Sequence, residues 1–398
     1  MVLEFADKAT AGVPIDKLAR LREELPAVAL TGYFNAGTNG PLPRVVHDAI
    51  VNASCRDLTK GRIGPDLYHG VMADSQSVRN LFAEIFKSSP SEVALTRSTS
   101  EGLNIALAGM TWRPGDEIIT VQLEHVCLFA AIGLIAHRHG ATIKIVDIGN
   151  GGGDVVAQLE KAITSRTRAI AISHVQWSSG AVMPLKEIAA MASARGILTL
   201  IDAAQAAGQV AVDFHDLGVD AYAVSGQKWL CGPSGSGALF VSANGMGQIQ
   251  PTYLRYGAFD PYGFVMPPEG AKRYEMGETF NPAVQGQAAG LRWLRDEVGF
   301  DWLTARVKAL GERCHAGLSE IDGIAVTTPT QNMAGLICFS VEGKNVKDVS
   351  DAVFQRGYTI RSVDQRPGPA AVRVSTGWWC TEDEVDSLVS AIAEVIKA

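Results

Sequence analysis

The sequence reads LTLIDAAQ at residues 198–205 and AYAVSGQK at residues 221–228. Each stretch begins with a short apolar run, typical of a buried parallel strand, and ends on polar residues that would follow the strand's carboxyl end. The pattern recurs from about residue 91 to residue 241, where amphipathic stretches with helical spacing separate the runs. This alternation predicts an α/β layered sheet. Strands are predicted at 116–121, 143–147, 168–173, 198–202, 221–225 and 237–241, with helices at 124–139 and 185–194.

The pattern changes after residue 281. A long helical stretch reaches residue 320, and alternating strands and helices then predict a smaller α+β domain. Thr381 is followed three residues later by Glu384, a capping box that places the start of the last helix. Residues 250–273 are rich in Tyr, Pro and Gly and predict a long loop, of a length that is often functional. The later strands are predicted at 334–341 and 371–375, and the later helices at 346–356 and 381–397.

The composition argues against several functional classes. The chain has 398 residues, of which 47% are apolar and 19% charged, and a net charge of -7. An acidic chain without a Lys/Arg block lacks the positive field that attracts nucleic acid. The amino-terminal residues lack a secretory pattern, and no apolar stretch is long enough to span a membrane, so we expect a cytoplasmic protein. The six cysteines form no C-x-x-C pair, which predicts reduced thiols and no metal site.

Two polar residues stand at the ends of predicted strands. Lys228 follows one strand within a Gly-rich stretch, where burial would lower its pKa and prepare the amine to form a Schiff base. A snorkelling or salt-bridged lysine is the alternative. Asp202 ends the other strand in surroundings too apolar to solvate a carboxylate, and a pyridinium N–H would be a fitting partner. The alternative for Asp202 is the N-cap of a helix.

Two further stretches predict parts of a ligand site. Ser98 and Glu101 are three residues apart before an apolar helix, whose amino end would bind an anion together with the Thr99 and Ser100 hydroxyls. His125 would lie at a strand's carboxyl edge, where open α/β sheets bind ligands, or it would be a structural histidine. The chain has no P-loop, no zinc-protease motif and no serine-hydrolase motif, and its Gly-rich stretch precedes a strand, which fits a dinucleotide fold poorly.

Taken together, these motifs resemble the class V aminotransferase family of fold-type-I pyridoxal-phosphate (PLP) enzymes, the group that contains cysteine desulfurases and isopenicillin N epimerase. The resemblance runs through NAGTNGP (35–41), TSE (99–101), EH (124–125), DAAQ (202–205), SGQK (225–228) and RVS (373–375). It implies an α/β large domain with a mostly parallel seven-stranded sheet between helices, and a smaller α+β C-terminal domain. The implied divisions are an amino-terminal arm (1–40) that joins the small domain, the PLP-binding domain (41–280) and the small domain (281–398).

The resemblance also implies roles for single residues. Lys228 would hold PLP and move protons at the substrate Cα, and Asp202 would pair with the pyridine nitrogen. Gln205 would bind the ring hydroxyl, and His125 would stack on the ring. Arg373 would bind the substrate carboxylate, with a guanidinium's two-pronged geometry. The phosphate would be bound by Thr99, Ser100, Ser225 and Gln227, with Thr279 from the partner of a homodimer, while Asn35 and Trp177 would lie on the substrate side.

Several residues depart from the family pattern, and these departures limit which reactions we expect. Gln227 replaces a frequent histidine, Trp177 replaces an asparagine of desulfurases, and Thr279 is displaced by one residue from its usual glycine. The loop at 361–369 contains no cysteine, so a desulfurase that forms a persulfide there is not expected. We expect removal of the α-proton of an amino acid, followed by β-elimination from an S-substituted cysteine or by epimerisation. Transamination and PLP binding without turnover are the alternatives.

Overall fold

The computed structural model describes residues 15–62, 64–255, 258–259, 262–263, 265, 267–277, 279–364 and 368–397. The strands are β1 (Gly32–Tyr33), β2 (Val93–Thr96), β3 (Glu117–Val121), β4 (Thr142–Val146), β5 (Thr167–Ser173), β6 (Leu198–Asp202), β7 (Ala221–Ser225), β8 (Gly237–Val241), β9 (Ile324–Val326), β10 (Leu336–Val341), β11 (Tyr358–Thr359), β12 (Arg361–Val363) and β13 (Ala371–Ser375). The α-helices are α1 (Ile15–Glu23), α2 (Arg44–Lys60), α3 (Pro65–Ile85), α4 (Thr99–Gly109), α5 (Val126–His139), α6 (Val155–Ala162), α7 (Leu185–Ser193), α8 (Phe214–Leu217), α9 (Ala243–Gln248), α10 (Asn281–Trp293), α11 (Phe300–Ser319), α12 (Val346–Phe354) and α13 (Glu382–Lys397).

A seven-stranded sheet forms the centre of the large domain, in the order β2-β8-β7-β6-β5-β3-β4. Strands β7, β6, β5, β3 and β4 are parallel, and β8 runs antiparallel to both of its neighbours. The predicted α/β fold with a mostly parallel sheet is therefore confirmed. Strand β2 was not predicted, because its four residues, VALT, are too few to show a period.

Both faces of this sheet are buried under helices. Successive side chains of a strand point to opposite faces, and Ile118 and Ile119 of β3 accordingly join two separate apolar clusters. Leu103 of α4 and Leu128 of α5 pack in the same cluster as Ile118, whereas Ile188 of α7 packs in that of Ile119. The strands in the interior of the sheet are therefore buried on both faces, which explains the continuous apolar runs of the sequence.

Two predicted helices have different bounds in the structure. Helix α5 begins at Val126 because His125 caps it, with Nδ1 accepting a bond of 3.2 Å from the Cys127 N–H. The long helical stretch from residue 281 is divided by a π-helical segment at Leu294–Val298 and by Gly299, whose φ of +80° lies in the left-handed region. In the described part of the predicted loop 250–273, the first regular element is a 3-10 turn at Ala271–Tyr274.

The small domain is built on the antiparallel sheet β12-β13-β10-β9. Its last helix begins as predicted, since the Thr381 N–H donates to Glu384 (2.8 Å) and the Glu384 N–H donates to the Thr381 hydroxyl (3.1 Å). The amino-terminal segment contacts this domain through β1, which pairs with β11, and through an ion pair of 2.6 Å between Arg22 and Glu384. These contacts support the predicted joining of the arm, of which residues 1–14 lie outside the described residues.

The boundary predicted at residue 281 remains a prediction. Helix α10 follows it but packs against α2 of the large domain, where a Cβ added at Gly286 would lie 2.7 Å from the Ile50 side chain. Helix α11 instead packs against α13 of the small domain. No described helix is long and apolar enough to cross a membrane. The described residues also contain no group of three His, Cys, Asp or Glu side chains placed to bind a metal.

Candidate active site

The carboxyl ends of β3, β5, β6 and β7 meet at one edge of the sheet and open into a cavity of about 260 Å³. A parallel sheet brings the residues that follow its strands to this edge, although they are far apart in sequence. The small domain and the amino-terminal segment close the other side with Arg361, Arg373, Gly37 and Thr38. The predicted site residues that line the cavity are Thr99, Ser100, His125, Trp177, Asp202, Gln205, Ser225, Gln227, Lys228 and Arg373.

Two predicted residues do not line the cavity. Asn35 lies behind it and accepts a hydrogen bond of 2.8 Å from the hydroxyl of Thr38, which does line it. Thr279 is exposed on the surface of its own chain. A direct contact of Asn35 with substrate and the contribution of Thr279 to a partner's site both remain predictions.

Lys228 lies in the cavity immediately after β7. Within the described part of the chain, the Nζ of Lys228 has no hydrogen-bond or ion-pair partner. The alternative of a salt-bridged lysine is therefore wrong among the described residues. Burial lowers the pKa of Lys228 to about 8 against the opposing effect of Asp202, and Arg373 adds to the lowering. A far larger fraction of this amine than of an ordinary lysine is therefore neutral near neutral pH and able to attack a carbonyl.

Asp202 ends β6 as a carboxylate that is 5% exposed. One oxygen, Oδ1, accepts a bond of 2.9 Å from the Ala204 N–H, and turns rather than a helix follow, so the alternative of a helix N-cap is wrong. Burial raises the pKa of Asp202 against the effect of Lys228. No described cation lies within ion-pair distance of this carboxylate, which leaves it available to a protonated ring nitrogen.

The amino end of α4 presents donors that could bind an anion. Ser98 caps the helix by accepting from the Glu101 N–H (3.2 Å), and the Ser225 hydroxyl bonds both the N–H (3.0 Å) and the hydroxyl (2.8 Å) of Thr99. The second half of the predicted capping box is wrong, since the Glu101 carboxylate accepts from the Arg97 N–H (2.6 Å). The hydroxyls and the positive end of the helix dipole suit a phosphate.

His125 and Trp177 line the cavity and contact each other, with ring centroids 4.6 Å apart and planes inclined at 80°. Burial lowers the pKa of His125 to about 4, with Lys228 and Arg373 adding to the effect, so the imidazole is neutral. His125 therefore caps α5 and also lines the cavity, and its stacking on the ring remains a prediction. Trp177 is 3% exposed, and its indole N–H has no acceptor among the described residues.

Two glutamines complete this side of the cavity. Gln205 is held between the two domains, because its Nε2 donates to the Gly37 carbonyl (2.9 Å) and its Oε1 accepts from the Trp229 indole (3.0 Å). One amide hydrogen of Gln205 is left for a ligand. Gln227 lines the cavity, and its buried Oε1 has no donor among the described residues.

Arg373 and Arg361 lie side by side in the cavity wall, because they are register partners on the neighbouring strands β13 and β12. Arg373 is 2% exposed, yet its Nε has no partner and no carboxylate lies within 4.0 Å of either guanidinium among the described residues. Both donate to the Thr38 hydroxyl, at 3.3 Å and 3.2 Å. Burial lowers the pKa of Arg373 to about 10. Two unpaired guanidiniums in one cavity indicate an anionic ligand.

Sequence analysis did not predict several residues that the structure places in the cavity. Arg361 was noted only as the start of a loop without cysteine, and its role depends on its register with Arg373. Thr38 and Gly37 lie within the quoted motif NAGTNGP, which was the one signal that pointed to them. The others are Cys127, Ser173 and Ala204.

A family model described as "Aminotransferase class-V" matches residues 33–388 of the chain. The chain belongs to the aminotransferase class-V family. Among curated relatives, a probable cysteine desulfurase of Methanothermobacter thermautotrophicus is 27% identical over 391 residues, covering 94% of this chain and 97% of that protein. Isopenicillin N epimerase of Streptomyces clavuligerus is 25% identical over 378 residues, covering 90% and 93%.

Solved structures show the same similarity for this class-V enzyme. The complex between the cystine C-S lyase C-DES and its reaction product cysteine persulfide has a TM-score of 0.88 and 27% identity, covering 93% of this chain and 99% of that chain. A lysine-to-alanine mutant of C-DES with glycine covalently linked to the PLP cofactor has a TM-score of 0.89 and 27% identity, covering 94% and 99%.

PLP is the cofactor of this class-V enzyme, and the cavity fits it. The unpaired Lys228 amine suits its aldehyde, and the buried Asp202 carboxylate suits its ring nitrogen. The neutral His125 ring lines the same cavity, and the start of α4 presents hydroxyls for the phosphate. The predicted PLP-dependent enzyme of this family is therefore confirmed at the level of family and cofactor.

We expect the cofactor-free protein to bind PLP covalently faster as the pH rises through about 8. Lys228 attacks an aldehyde only as the neutral amine, and burial lowers the pKa of Lys228 to about 8. The measurement is the initial rate at which the visible absorbance band grows after PLP is added, across a pH series on both sides of that value. A rate that is still rising steeply near the ordinary lysine pKa would contradict the lowered value.

Proposed function

We propose that this class-V enzyme cleaves the C–S bond of an S-substituted cysteine by β-elimination. The observation that carries the proposal is Arg373, a buried and unpaired guanidinium in the same cavity as Lys228 and Asp202. A guanidinium in this position suits the carboxylate of an amino acid, and would hold the substrate's Cα close to the amine that moves its proton.

The residues of the cavity divide the reaction between them. Arg373 would bind the substrate carboxylate and so orient the bonds at Cα relative to Lys228. PLP supplies an electron sink that stabilises negative charge at Cα. Asp202 keeps the ring nitrogen protonated, and Lys228 takes the α-proton as a general base. The electron pair of the Cα–H bond then forms the Cα–Cβ double bond, and the sulfur leaves with the electrons of the C–S bond.

The position of Arg361 in the cavity favours a substrate that has a second anionic group. Arg361 lines the cavity beside Arg373, and no described carboxylate neutralises it. Like charges directly opposite each other on paired strands destabilise a sheet, so both guanidiniums gain from a ligand with two carboxylates. A disulfide such as cystine has two, and C-DES is described as a cystine C-S lyase. Because the loop 361–369 has no cysteine, we propose that the sulfur leaves on a small molecule.

Epimerisation is the second proposed function, supported by the relative isopenicillin N epimerase. It begins with the same proton removal by Lys228, and the proton returns on the opposite face of Cα. The two reactions differ in whether a group leaves from Cβ.

Product analysis tests the two proposals. The PLP-loaded protein is incubated with cystine, with S-methylcysteine and with single D or L amino acids in deuterated water. Elimination predicts pyruvate and ammonia in equal amounts from cystine. Deuterium at Cα with an inverted centre would support epimerisation instead, and the formation of a keto acid with the amino group left on the cofactor would contradict both.

We expect Cys127→Ser to keep its elimination rate within about threefold of wild type, because a small-molecule product needs no thiolate of the protein. Cys127 is the described cysteine that lines the cavity, which makes it the decisive position. The rate is measured with cystine as pyruvate formed, and exposed Cys55→Ser is the matched control. A rate that falls to background in Cys127→Ser alone would show a protein persulfide and contradict the proposal.

The proposed function also includes a homodimer. A second cavity of about 420 Å³ shares Gln227 with the active site and is lined by Leu42, Ile50 and Phe280, of which Phe280 is 68% exposed. An exposed apolar patch beside a polar site supports coverage by a second copy of the chain. Exposed Thr279, next to Phe280, would then reach the partner's phosphate. A cytoplasmic location remains part of this proposal.

We expect an equimolar mixture of Lys228→Ala and Thr279→Ala, unfolded and refolded together, to contain sites that bind PLP with wild-type affinity, which neither variant has alone. In a mixed dimer, the site with an intact Lys228 receives Thr279 from the other subunit. The measurement is a PLP titration of the mixture and of each variant, with sedimentation to verify the dimer. A mixture that only averages the two variants would show that Thr279 does not act across an interface.

A further inference from the structure

We propose that Glu124 is a positioning residue. Its buried carboxylate bonds the loop that contains Trp177 to the loop that contains His125, and these bonds hold the two contacting rings of the cavity in place. The effect of Glu124 on turnover rests on the proposed function, whereas its effect on the positions of the two loops does not.

The carboxylate of Glu124 joins the segments that follow β3 and β5. Its Oε1 accepts bonds from the Ser173 N–H (2.8 Å) and from Gln176 Nε2 (3.0 Å), and its Oε2 accepts from the Ser173 hydroxyl. All three donors belong to the β5 side, while Glu124 itself belongs to the β3 side. The two loops are therefore linked by three hydrogen bonds to one side chain.

One of these bonds acts directly on the ring pair, because Glu124 and Gln176 are each the chain neighbour of a ring. Glu124 precedes His125, and Gln176 precedes Trp177. The backbone of Gln176 is held as well, since its N–H donates to the Ala181 carbonyl (2.9 Å) and its carbonyl accepts from the Gly180 N–H (2.7 Å). A displacement of Gln176 would thus move the turn as a unit, together with Trp177.

A stabilising role alone explains Glu124 poorly. The residue is 1% exposed, and no lysine or arginine lies within ion-pair distance of it in the described part of the chain. Burial raises the pKa of Glu124 to about 7, which shows how unfavourable the charge is at this position. A buried carboxylate without a cation costs more than an apolar contact would, so its three bonds point to a requirement for geometry.

The chain offers a matched control in Glu117, the first residue of β3, the strand that precedes Glu124. Glu117 is also buried, and its carboxylate bonds the Thr164 and Thr167 hydroxyls and pairs with Lys144 (2.9 Å). It does not line the cavity. A Glu117 variant therefore removes a buried carboxylate of β3 that does not line the cavity.

The first test uses cofactor-free protein labelled with 5-fluorotryptophan, in which loss of one of the seven signals in Trp177→Phe assigns Trp177. We expect Glu124→Ala and Gln176→Ala to shift or broaden the Trp177 signal, and Glu117→Gln to leave it unchanged. Gln176→Ala keeps the test decisive where Glu124→Ala does not fold. An unchanged Trp177 signal in the folded variants, or an equal change in Glu117→Gln, would overturn the proposal.

The second test is turnover of cystine by the PLP-loaded variants. We expect Glu124→Ala to lower kcat/KM about 100-fold, because a small displacement of positioning groups has effects of this size. Glu124→Gln keeps an acceptor for Ser173 and Gln176, and we expect it to restore most of the loss. A Glu124→Gln variant as impaired as Glu124→Ala would overturn positioning in favour of a role for the charge. Absence of cystine turnover in wild type would count against the proposed function, and the fluorine signals would still decide this proposal.

Discussion

Lys228→Ala is expected to lose the visible absorbance band of bound PLP and to lower kcat at least about 1,000-fold. The amine has two tasks, since it binds the cofactor covalently and takes the α-proton, and general base catalysis alone contributes about 100-fold to 10,000-fold. Lys228 has no hydrogen-bond or ion-pair partner within the described residues, so its loss breaks no direct contact. The variant should therefore fold with a thermal midpoint close to that of wild type.

The measurement combines absorbance spectra with pyruvate formation from cystine. Lys144→Ala, which removes a lysine at the far end of the sheet, controls for loss of a positive charge. Non-covalent PLP should still bind to Lys228→Ala through Asp202 and the start of α4. A Lys228→Ala variant that keeps both its band and its turnover would remove the basis of the proposed mechanism.

Arg373→Ala is expected to lower kcat/KM about 100-fold to 1,000-fold, chiefly by raising KM. Truncating one member of a buried, hydrogen-bonded charge pair costs about 2 to 5 kcal/mol, and the substrate carboxylate would be the other member. Arg373→Lys should recover little of this loss, because a single ammonium group cannot form the two parallel bonds of a guanidinium. PLP affinity should change little, since Arg373 is assigned to the substrate.

A comparison of Arg373→Ala with Arg361→Ala on two substrates tests which carboxylate each guanidinium binds. Cystine has two carboxylates and S-methylcysteine has one, so we expect Arg361→Ala to raise KM for cystine and to leave KM for S-methylcysteine nearly unchanged. Arg373→Ala should impair both substrates. If both variants impaired S-methylcysteine equally, the assignment of one guanidinium to each carboxylate would be wrong.

Much of this site was predictable because many of its residues come directly after strands of the sheet. Asp202 and Lys228 come directly after apolar runs that are typical of parallel strands, and parallel strands place their carboxyl ends at one edge. Ser98 and Thr99 carried the signature of a helix start, which the structure confirms. The prediction of the second cap partner failed, because the Glu101 carboxylate bonds the neighbouring Arg97 instead.

Residues whose role depends on pairing between distant segments were not predictable. Arg361 lies opposite Arg373 only through the register of β12 with β13, and both reach Thr38 from a segment more than 300 residues away in sequence. A change of one residue in that register would turn the Arg361 side chain to the other face of the sheet. No local pattern contains this information.

The sequence by itself determined the α/β class, the strand ends that bear Asp202 and Lys228, and the family motifs, because these depend on side-chain periodicity within single elements. Only the tertiary structure decided that two unpaired guanidiniums share the cavity and that Glu124 bonds the loop of Trp177. Those contacts join segments distant in the chain, and their geometry is set by packing between domains and strands.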